Sequence, residues 1–477
     1  MAEKSFQTLV MKFGGTSVGS AQAMAQAAQI VKEAHAEWGR VVVVTSAIAG
    51  ATNALLDSAI HAARSNLQPL VDTERSLLVR HEEISAAHIN DPLLRAQLKA
   101  EMTGLIETFG ALCRAIAVLG EASPRALDAV ASLGERLSVR LLAAVCQSVG
   151  VPAQFIESTE LIITNNNFQS AHPDFGATTF ATRTRLNPLL QAGIVPVVTG
   201  FIGATPEGVI TTLGRGGSDY SAAILGAVLP ADDVWIWTDV DGVMTADPRL
   251  VPNARTLPEI SYAEIAELAY YGAKVLHPKT VRPVIEAGIG LRICNTFNPS
   301  HPGTRLVTNL KNNHAGAADK VIKAVTTIRK QRLVTVEGRG MLGVPGVAAR
   351  TFAAVASTGT SVPLITQASS EQSICFAIPS ESADLVLAAL ARVFAAELAD
   401  RDIDRVWATD DVSIITVVGA GTRNTPGVAG QIFSKLGEIN VNMLAIAHGS
   451  SDVSISMVVE SSQDELSVRA LHELIVR

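Results

Sequence analysis

Thr8-Leu9-Val10-Met11-Lys12-Phe13-Gly14-Gly15-Thr16-Ser17-Val18 is the stretch from which the rest of the chain can be read. An apolar run ends in a lysine, two glycines and two hydroxyls, and the Ala- and Gln-rich segment Ala21 to His35 follows. The pattern predicts a buried strand that turns through glycine into a helix. Paired glycines let backbone approach an anion, and a helix start offers amides and a favourable dipole to it. Lys12 adds a full positive charge. The same letters also fit a tight turn with an exposed lysine. No Gly-x-x-x-x-Gly-Lys-Ser/Thr occurs at this loop, so a phosphate site here is not a P-loop.

Outward from this stretch, strands and helices alternate. Arg40-Val41-Val42-Val43-Val44-Thr45-Ser46-Ala47 reads as a second buried strand, and 66–150 as mostly helix. Further strands are expected at Val151–Ile156, Gly193–Gly203, Val209–Leu213 and Asp233–Thr238. Such alternation implies a mostly parallel sheet covered on both faces. Beyond Thr296–Gly316, rich in Asn, Pro, His and Gly and read as a linker, the chain repeats itself. Val344-Pro345-Gly346-Val347-Ala348 matches Thr425-Pro426-Gly427-Val428-Ala429, and Ser369-Ser370-Glu371-Gln372-Ser373-Ile374 matches Ser450-Ser451-Asp452-Val453-Ser454-Ile455, always 81 positions apart. Each copy reads strand, Pro-Gly turn, helix, strand, strand, with the proline at the helix start and amides open to a small ligand.

Composition narrows the function. The 477 residues suit two to four domains with aliphatic cores, since 48% are hydrophobic but only 4% aromatic. A net charge of −7 leaves no basic footprint for nucleic acid. Mean hydropathy is +0.29, but no continuous apolar run approaches the roughly 18 residues of a membrane span. Residues 1–7 show no signal-peptide pattern. The four widely spaced cysteines form no metal motif and suit a reducing cytoplasm.

Four more segments carry chemistry. Gly214-Arg215-Gly216-Gly217-Ser218-Asp219 is a second glycine-rich loop opening a helix. Arg215 suits bidentate capture of a carboxylate or phosphate, and Asp219 suits either a helix cap or a site carboxylate. Thr238-Asp239-Val240-Asp241-Gly242-Val243-Met244-Thr245-Ala246-Asp247-Pro248-Arg249 follows a strand, where a nucleotide commonly binds; its aspartates fit either Mg²⁺ or plain turns. Gly272-Ala273-Lys274-Val275-Leu276-His277-Pro278 holds a lysine able to bridge phosphates or to end a helix in solvent. Glu135, in Ser132-Leu133-Gly134-Glu135-Arg136, fits either a substrate ammonium or a neighbouring arginine (Arg125, Arg136 or Arg140).

In this order, and followed by a doubled Pro-Gly module, these motifs resemble the aspartate kinase family of the amino-acid kinase superfamily, over essentially the whole chain. The resemblance implies an α/β fold: an αβα sandwich with a mostly parallel sheet over 1–300, a linker at 301–325, and two α+β ACT modules of ferredoxin-like type at 326–405 and 406–477. It implies ATP with Mg²⁺ as phosphate donor, L-aspartate as acceptor, and 4-phosphoaspartate as product, at the start of lysine, threonine and methionine biosynthesis. Lys12, Asp219 and Lys274 match the catalytic positions. Ser46, Thr52, Glu135, Arg215 and Ser218 match aspartate contacts. Lys12, Phe13, Gly14, Gly15, Thr238, Asp239, Met244, Arg249 and Lys274 match ATP contacts, although relatives often carry Tyr or Phe at Met244. No residue is assigned to a resident metal. Gln367, Ser369, Asn442 and His448 are candidate effector contacts, or only build the interface between the modules, and the effector is lysine, threonine, both or neither. The resemblance further implies a cytoplasmic homodimer or homotetramer assembled through the ACT modules, without the homoserine dehydrogenase extension of some relatives, and no nucleic-acid or membrane partner. A different amino-acid kinase (glutamate or acetylglutamate type) or a non-catalytic amino-acid sensor are the competing expectations.

Overall fold

The computed structural model describes residues 7–271, 276, 278–307, 321–341, 344–367, 372–448 and 452–476. They fall into two compact units: Met1–Val243, Thr256–Tyr262 and Val275–Asn309 form one; Met244–Arg255, Ala263–Lys274 and Leu310–Arg477 form the other.

The first unit opens with β1 (Thr8–Phe13), α1 (Ala21–Trp38), β2 (Arg40–Thr45) and α2 (Ala51–Ala62), then the long helices α3 (Gln68–His88), α4 (Pro92–Leu119) and α5 (Pro124–Ser148). β3 (Ala153–Ile156), α6 (Phe175–Gln191), β4 (Val195–Thr199), the hairpin β5 (Ile202–Ala204) and β6 (Ile210–Thr212), α7 (Gly217–Val228) and β7 (Asp233–Thr238) follow. β8 (Glu259–Ser261), α9 (Pro278–Glu286), β9 (Gly290–Asn295) and β10 (Thr304–Val307) come next; α8 (Tyr262–Tyr270), between β8 and α9 in the chain, belongs to the second unit from Ala263 on. Eight strands make one sheet in the order β3-β4-β2-β1-β7-β9-β10-β8, parallel except between β9 and β10. All six residues of β1 are buried, as expected of a strand covered by helices on both faces.

Local chemistry sets the helix starts. Ser20 Oγ accepts from Ala23 N–H to open α1, and Ser123 Oγ accepts from Ala126 N–H to open α5, with Pro124 at its first position. Register brings the carboxyl ends of the central strands level: Phe13 pairs with Thr45 and Trp237, and Thr45 with Thr199. The loops after β1, β2, β4 and β7 therefore open on one edge, where ligands bind in such sheets.

Three expectations change. Strand β10 occupies part of the segment read as linker, pairing with β9 and β8. Val209–Leu213 contributes only β6, in the small hairpin rather than the main sheet. α4, 28 residues long, is the one helix among the described residues long and apolar enough to cross a membrane. Its apolar face (Leu98, Met102, Phe109, Cys113) is buried in the core cluster that also holds α5. Helical spacing, rather than a continuous run, is what makes that helix apolar.

The second unit is built on β11 (Ala324–Glu337) and β14 (Arg405–Val418), with α10 (Val347–Ser357), β12 (Leu364–Gln367), β13 (Ser373–Pro379), α11 (Ala383–Val393) and α12 (Ala395–Asp400) between them, and α13 (Val428–Glu438), β15 (Ala445–Ala447), β16 (Ser454–Glu460) and α14 (Asp464–Val476) after. The antiparallel sheet runs β12-β13-β11-β14-β16-β15. The 81-residue repeat holds element for element: α10 and α13, β13 and β16 start at Val347 and Val428, Ser373 and Ser454. The modules are interleaved rather than tandem. Ala324–Ile328 pairs with the end of β14 (Ile414–Val418), whereas Gln331–Glu337 pairs with its beginning, across an irregularity at Ile328/Gln331. Each module thus borrows half of each long strand, and a boundary at 405/406 falls at the head of β14. Two short segments from before residue 300 also belong here. Ala246, Leu250 and Val251 join the core with Ile432, Leu436 and Leu471. Glu264, fully buried, meets Lys323 at 2.9 Å.

Candidate active site

A cavity of about 540 Å³ lies in the first unit, at the carboxyl edge of its sheet. Lys12, Gly15, Ser46, Thr52, Glu135, Arg215, Ser218 and Asp219 all line it. They come from the end of β1 and the loop after it, from the loop after β2 and the start of α2, from α5, and from the loop before α7 and its first turn, so residues 200 positions apart in sequence share one cavity.

Lys12 projects from the end of β1, and its Nζ stands 2.6 Å from Asp219 Oδ1. Both side chains are largely buried, at 11% and 16% exposure. Asp219 is no helix cap: the cap of α7 is Gly216, in the left-handed region at φ 71°, and no side chain caps the helix. The pair holds the ammonium in place without neutralising the whole pocket, because Arg215, exposed at the rim, adds a second cation.

Glu135 sits within α5, 3% exposed. Its Oε1 accepts from Ala47 N–H at 3.3 Å. Its Oε2 has no hydrogen-bond partner among the described residues. The neighbouring arginines are engaged elsewhere: Arg136 and Arg140 both bind Glu157, at 3.0 and 2.8 Å. Burial, only partly offset by the Ala47 amide, pushes the Glu135 carboxyl up to about 8. Glu135 thus brings to the cavity a buried carboxyl with one oxygen unspent.

The first glycine loop works differently from expectation. A Cβ at Gly15 would come within 2.8 Å of Ala47 O, so glycine is demanded by the backbone of the neighbouring loop. Gly14 N–H already donates to Trp237 O at 3.1 Å, and Phe13 O accepts from Ser46 N–H. Phe13 as an ATP contact is corrected: its side chain is fully buried in the core and stacks on Trp237 at 6.0 Å. Gly14 does not line the cavity either, and its amide is spent within the sheet edge.

Thr238 and Asp239 stand at the end of β7 on that same edge; Thr238 Oγ1 donates to Asp239 Oδ1 at 3.2 Å. Asp241 is a turn carboxylate, accepting from the amides of Asn295 and Asn298. Met244 and Arg249 belong to the second unit, where Arg249 is paired with Asp247 at 2.6 Å. Lys274 and Ser369 lie outside the described residues.

In the second unit a cavity of about 450 Å³ is lined by Met341, Pro345, Gly346, Ala348, Gln367 and Ile374. The proline precedes the helix rather than starting it: Gly346, at φ 93°, is the cap of α10, and Gly427 repeats this at φ 90° for α13. Asn442 and His448 are exposed in the second module. His448 stands 81 positions after Gln367, immediately past the equivalent edge strand β15.

The amino acid kinase family model matches residues 7–295. The chain belongs to the amino acid kinase family. The ACT domain model matches 334–394 and 415–474. This amino acid kinase is similar to the bifunctional aspartokinase/homoserine dehydrogenase 2, chloroplastic, of Arabidopsis thaliana, at 36% identity over 466 residues, covering 97% of this chain and 50% of the relative. The chain thus spans about half the length of the bifunctional relatives it matches. It is similar to the aspartokinase of Schizosaccharomyces pombe at 33% identity, covering 97% of this chain and 91% of that one. Among solved structures it resembles E. coli aspartokinase III in complex with aspartate and ADP, at 30% identity and a TM-score of 0.79, covering 99% of this chain and all of that one. It also resembles the same enzyme in complex with lysine and aspartate, at 31% identity, a TM-score of 0.78 and 98% and 100% coverage.

Several residues of this amino acid kinase that line the cavity were not singled out from sequence: Asn53, Asp128, Gln169, Phe201 and Thr212. Asp128 had a usable signal, since it precedes Glu135 by seven residues, two helical turns, and shares its face. Phe201 had none; its left-handed φ of 68° exists only in the folded loop.

Proposed function

We propose that this chain transfers the terminal phosphate of ATP to the side-chain carboxylate of L-aspartate, giving 4-phospho-L-aspartate, under control of an amino acid bound by its ACT modules. The observation that carries the reading is Glu135, a buried carboxyl with an unspent oxygen in the same cavity as Arg215 and the Lys12–Asp219 pair. That set supplies an acceptor for an α-ammonium, a fork for an α-carboxylate, and a held cation for a phosphoryl group. The aspartate and ADP complex of E. coli aspartokinase III supports the same substrates here.

The acceptor carboxylate is already ionised near neutrality, so no general base is required. Its oxygen attacks the terminal phosphorus as the bond to the ADP oxygen breaks. The obstacle is anion meeting anion, and the site answers it with fixed positive charge and alignment. Lys12, held by Asp219, and the start of α7 face the transferring group; Lys274 is proposed as the second phosphate lysine. Asp239, at the strand edge, is the carboxylate that would hold a nucleotide-borne Mg²⁺, which would neutralise phosphate charge. The product is a mixed anhydride, from which water must be excluded.

Lysine is the favoured effector, on the lysine complex of the E. coli enzyme, with threonine the alternative; the cavity at Gln367 is its proposed seat. Assembly through the modules is proposed from exposed Ile365, Leu444 and Ile446 on and beside the edge strands β12 and β15. Four free cysteines, three of them buried, support work in a reducing compartment such as the cytoplasm. A coupled ADP-release assay with aspartate, glutamate and acetylglutamate, repeated with lysine and threonine singly and together, tests the substrate and the effector. Strong turnover without aspartate favours another amino-acid kinase, and no turnover with ligand binding favours a sensor.

A further inference from the structure

Asp128 is an acid that the proposed chemistry leaves without a part. It lies on α5, 1% exposed, on the helix face that also presents Glu135 to the cavity. Its carboxylate accepts from Gln169 N–H at 3.0 Å, from Thr212 N–H at 2.9 Å and from Thr212 Oγ1 at 2.8 Å. Burial raises its carboxyl above the ordinary range while these donors oppose the shift. Three donors from two separate segments, the Gln169 turn and the end of β6, converge on one acceptor-only group, which an amide cannot replace without setting a donor against a donor.

Both segments lead to Arg215. Thr212 ends β6, two residues before Gly214. The Gln169 turn, itself held at a left-handed φ of 67°, lies against Gly214 so closely that a Cβ there would meet Gln169 O at 2.9 Å. Ala171 N–H also donates to Thr212 O at 2.9 Å, lacing the two segments together. Arg215 itself sits between two left-handed glycines, Gly214 at φ 80° and Gly216 at φ 71°. Backbone of that kind has wide conformational freedom unless something outside it supplies order.

We propose that Asp128 is a positioning residue for the substrate clamp: it ties the Arg215 loop to α5, so that one rigid buried helix sets the place of both Glu135 and Arg215. The inference rests on the aspartate kinase reading. Its effect is on substrate capture, since a misplacement of about 1 Å in a positioning group can cost about a hundredfold.

The experiment measures kcat and both KM values for wild type, Asp128→Asn, Thr212→Val, Arg215→Ala and the Asp128→Asn/Arg215→Ala double variant, with unfolding followed for each. Asp128→Asn is expected to raise the KM for aspartate at least tenfold with the KM for ATP within twofold. Thr212→Val, which deletes one donor at nearly constant volume, is expected to raise it about threefold, and it decides the matter if Asp128→Asn does not fold. The double variant is expected to match Arg215→Ala alone, as it must if Asp128 acts through Arg215. A merely structural role lowers the folded fraction and the melting temperature but leaves the KM of the surviving enzyme unchanged. That outcome, or additive effects in the double variant, overturns the proposal. Wild-type enzyme inert toward aspartate overturns instead the reading beneath it.

Discussion

The Glu135 carboxyl makes a prediction that can be worked through from the structure. Without substrate it is held near a value of about 8 by burial, so at pH 7 about nine-tenths of it is protonated. An arriving α-ammonium at Oε2 favours the ionised form, so binding expels the proton. Calorimetry of aspartate binding in two buffers of different ionisation enthalpy reads that proton directly. Release is expected near 0.9 proton at pH 7, falling toward about 0.5 at pH 8, with affinity rising about fiftyfold between pH 6 and pH 8. Glu135→Gln abolishes the release and flattens the pH dependence. The unliganded protein shows the other side of the linkage. The folded value is raised above the ordinary 4.5, so this group's contribution to stability is full below pH 4.5 and is lost as pH rises through about 8. The loss amounts to about 5 kcal/mol for so buried a group. Glu135→Gln is therefore expected to melt higher than wild type at pH 8 and not at pH 4.5, while binding aspartate worse. Binding at pH 7 with no proton release, or a variant no more stable at pH 8, refutes the reasoning.

Three further outcomes follow from the same physics. Lys12→Ala is expected to lower kcat by orders of magnitude with the far-ultraviolet spectrum unchanged; near-normal turnover removes Lys12 from the phosphate site. His81, fully buried with Nδ1 2.7 Å from Leu77 O, is lowered from 6.5 to about 4 by burial. Its stabilisation is complete above pH 6.5 and is lost as pH falls toward 4, about 3 kcal/mol over the window. Urea unfolding at pH 7 and pH 4.5 should show this loss in wild type and a smaller one in His81→Leu; parallel losses dismiss it. Gln367→Ala is expected to raise the effector concentration for half-inhibition about tenfold, a 1.4 kcal/mol weakening; an unchanged inhibition curve moves the effector out of that cavity.

How far the letters carry is clearest residue by residue. The Lys12 loop, the Arg215 loop and Glu135 were legible because strand-to-helix turns and small-residue helices leave local patterns, and the folded chain places all three around one cavity. Phe13 was misread because a strand's last side chain points to either face, and only the sheet's packing against Trp237 decides which. Asp219 was legible as a first-turn acid, but a cap and an ion-pair partner look alike until Lys12 arrives from 207 positions away.

Sequence alone determined the 81-residue repeat and the identity of the charged groups, because these depend on periodicity and composition along the chain. Tertiary structure alone decided three things. The ACT modules exchange halves of β11 and β14, Met244–Arg255 packs with the C-terminal unit, and Glu135 keeps an oxygen unspent while its neighbouring arginines are taken by Glu157. Each is a choice among partners of equal local chemistry, and burial and distance, which exist only once the chain has folded, make that choice.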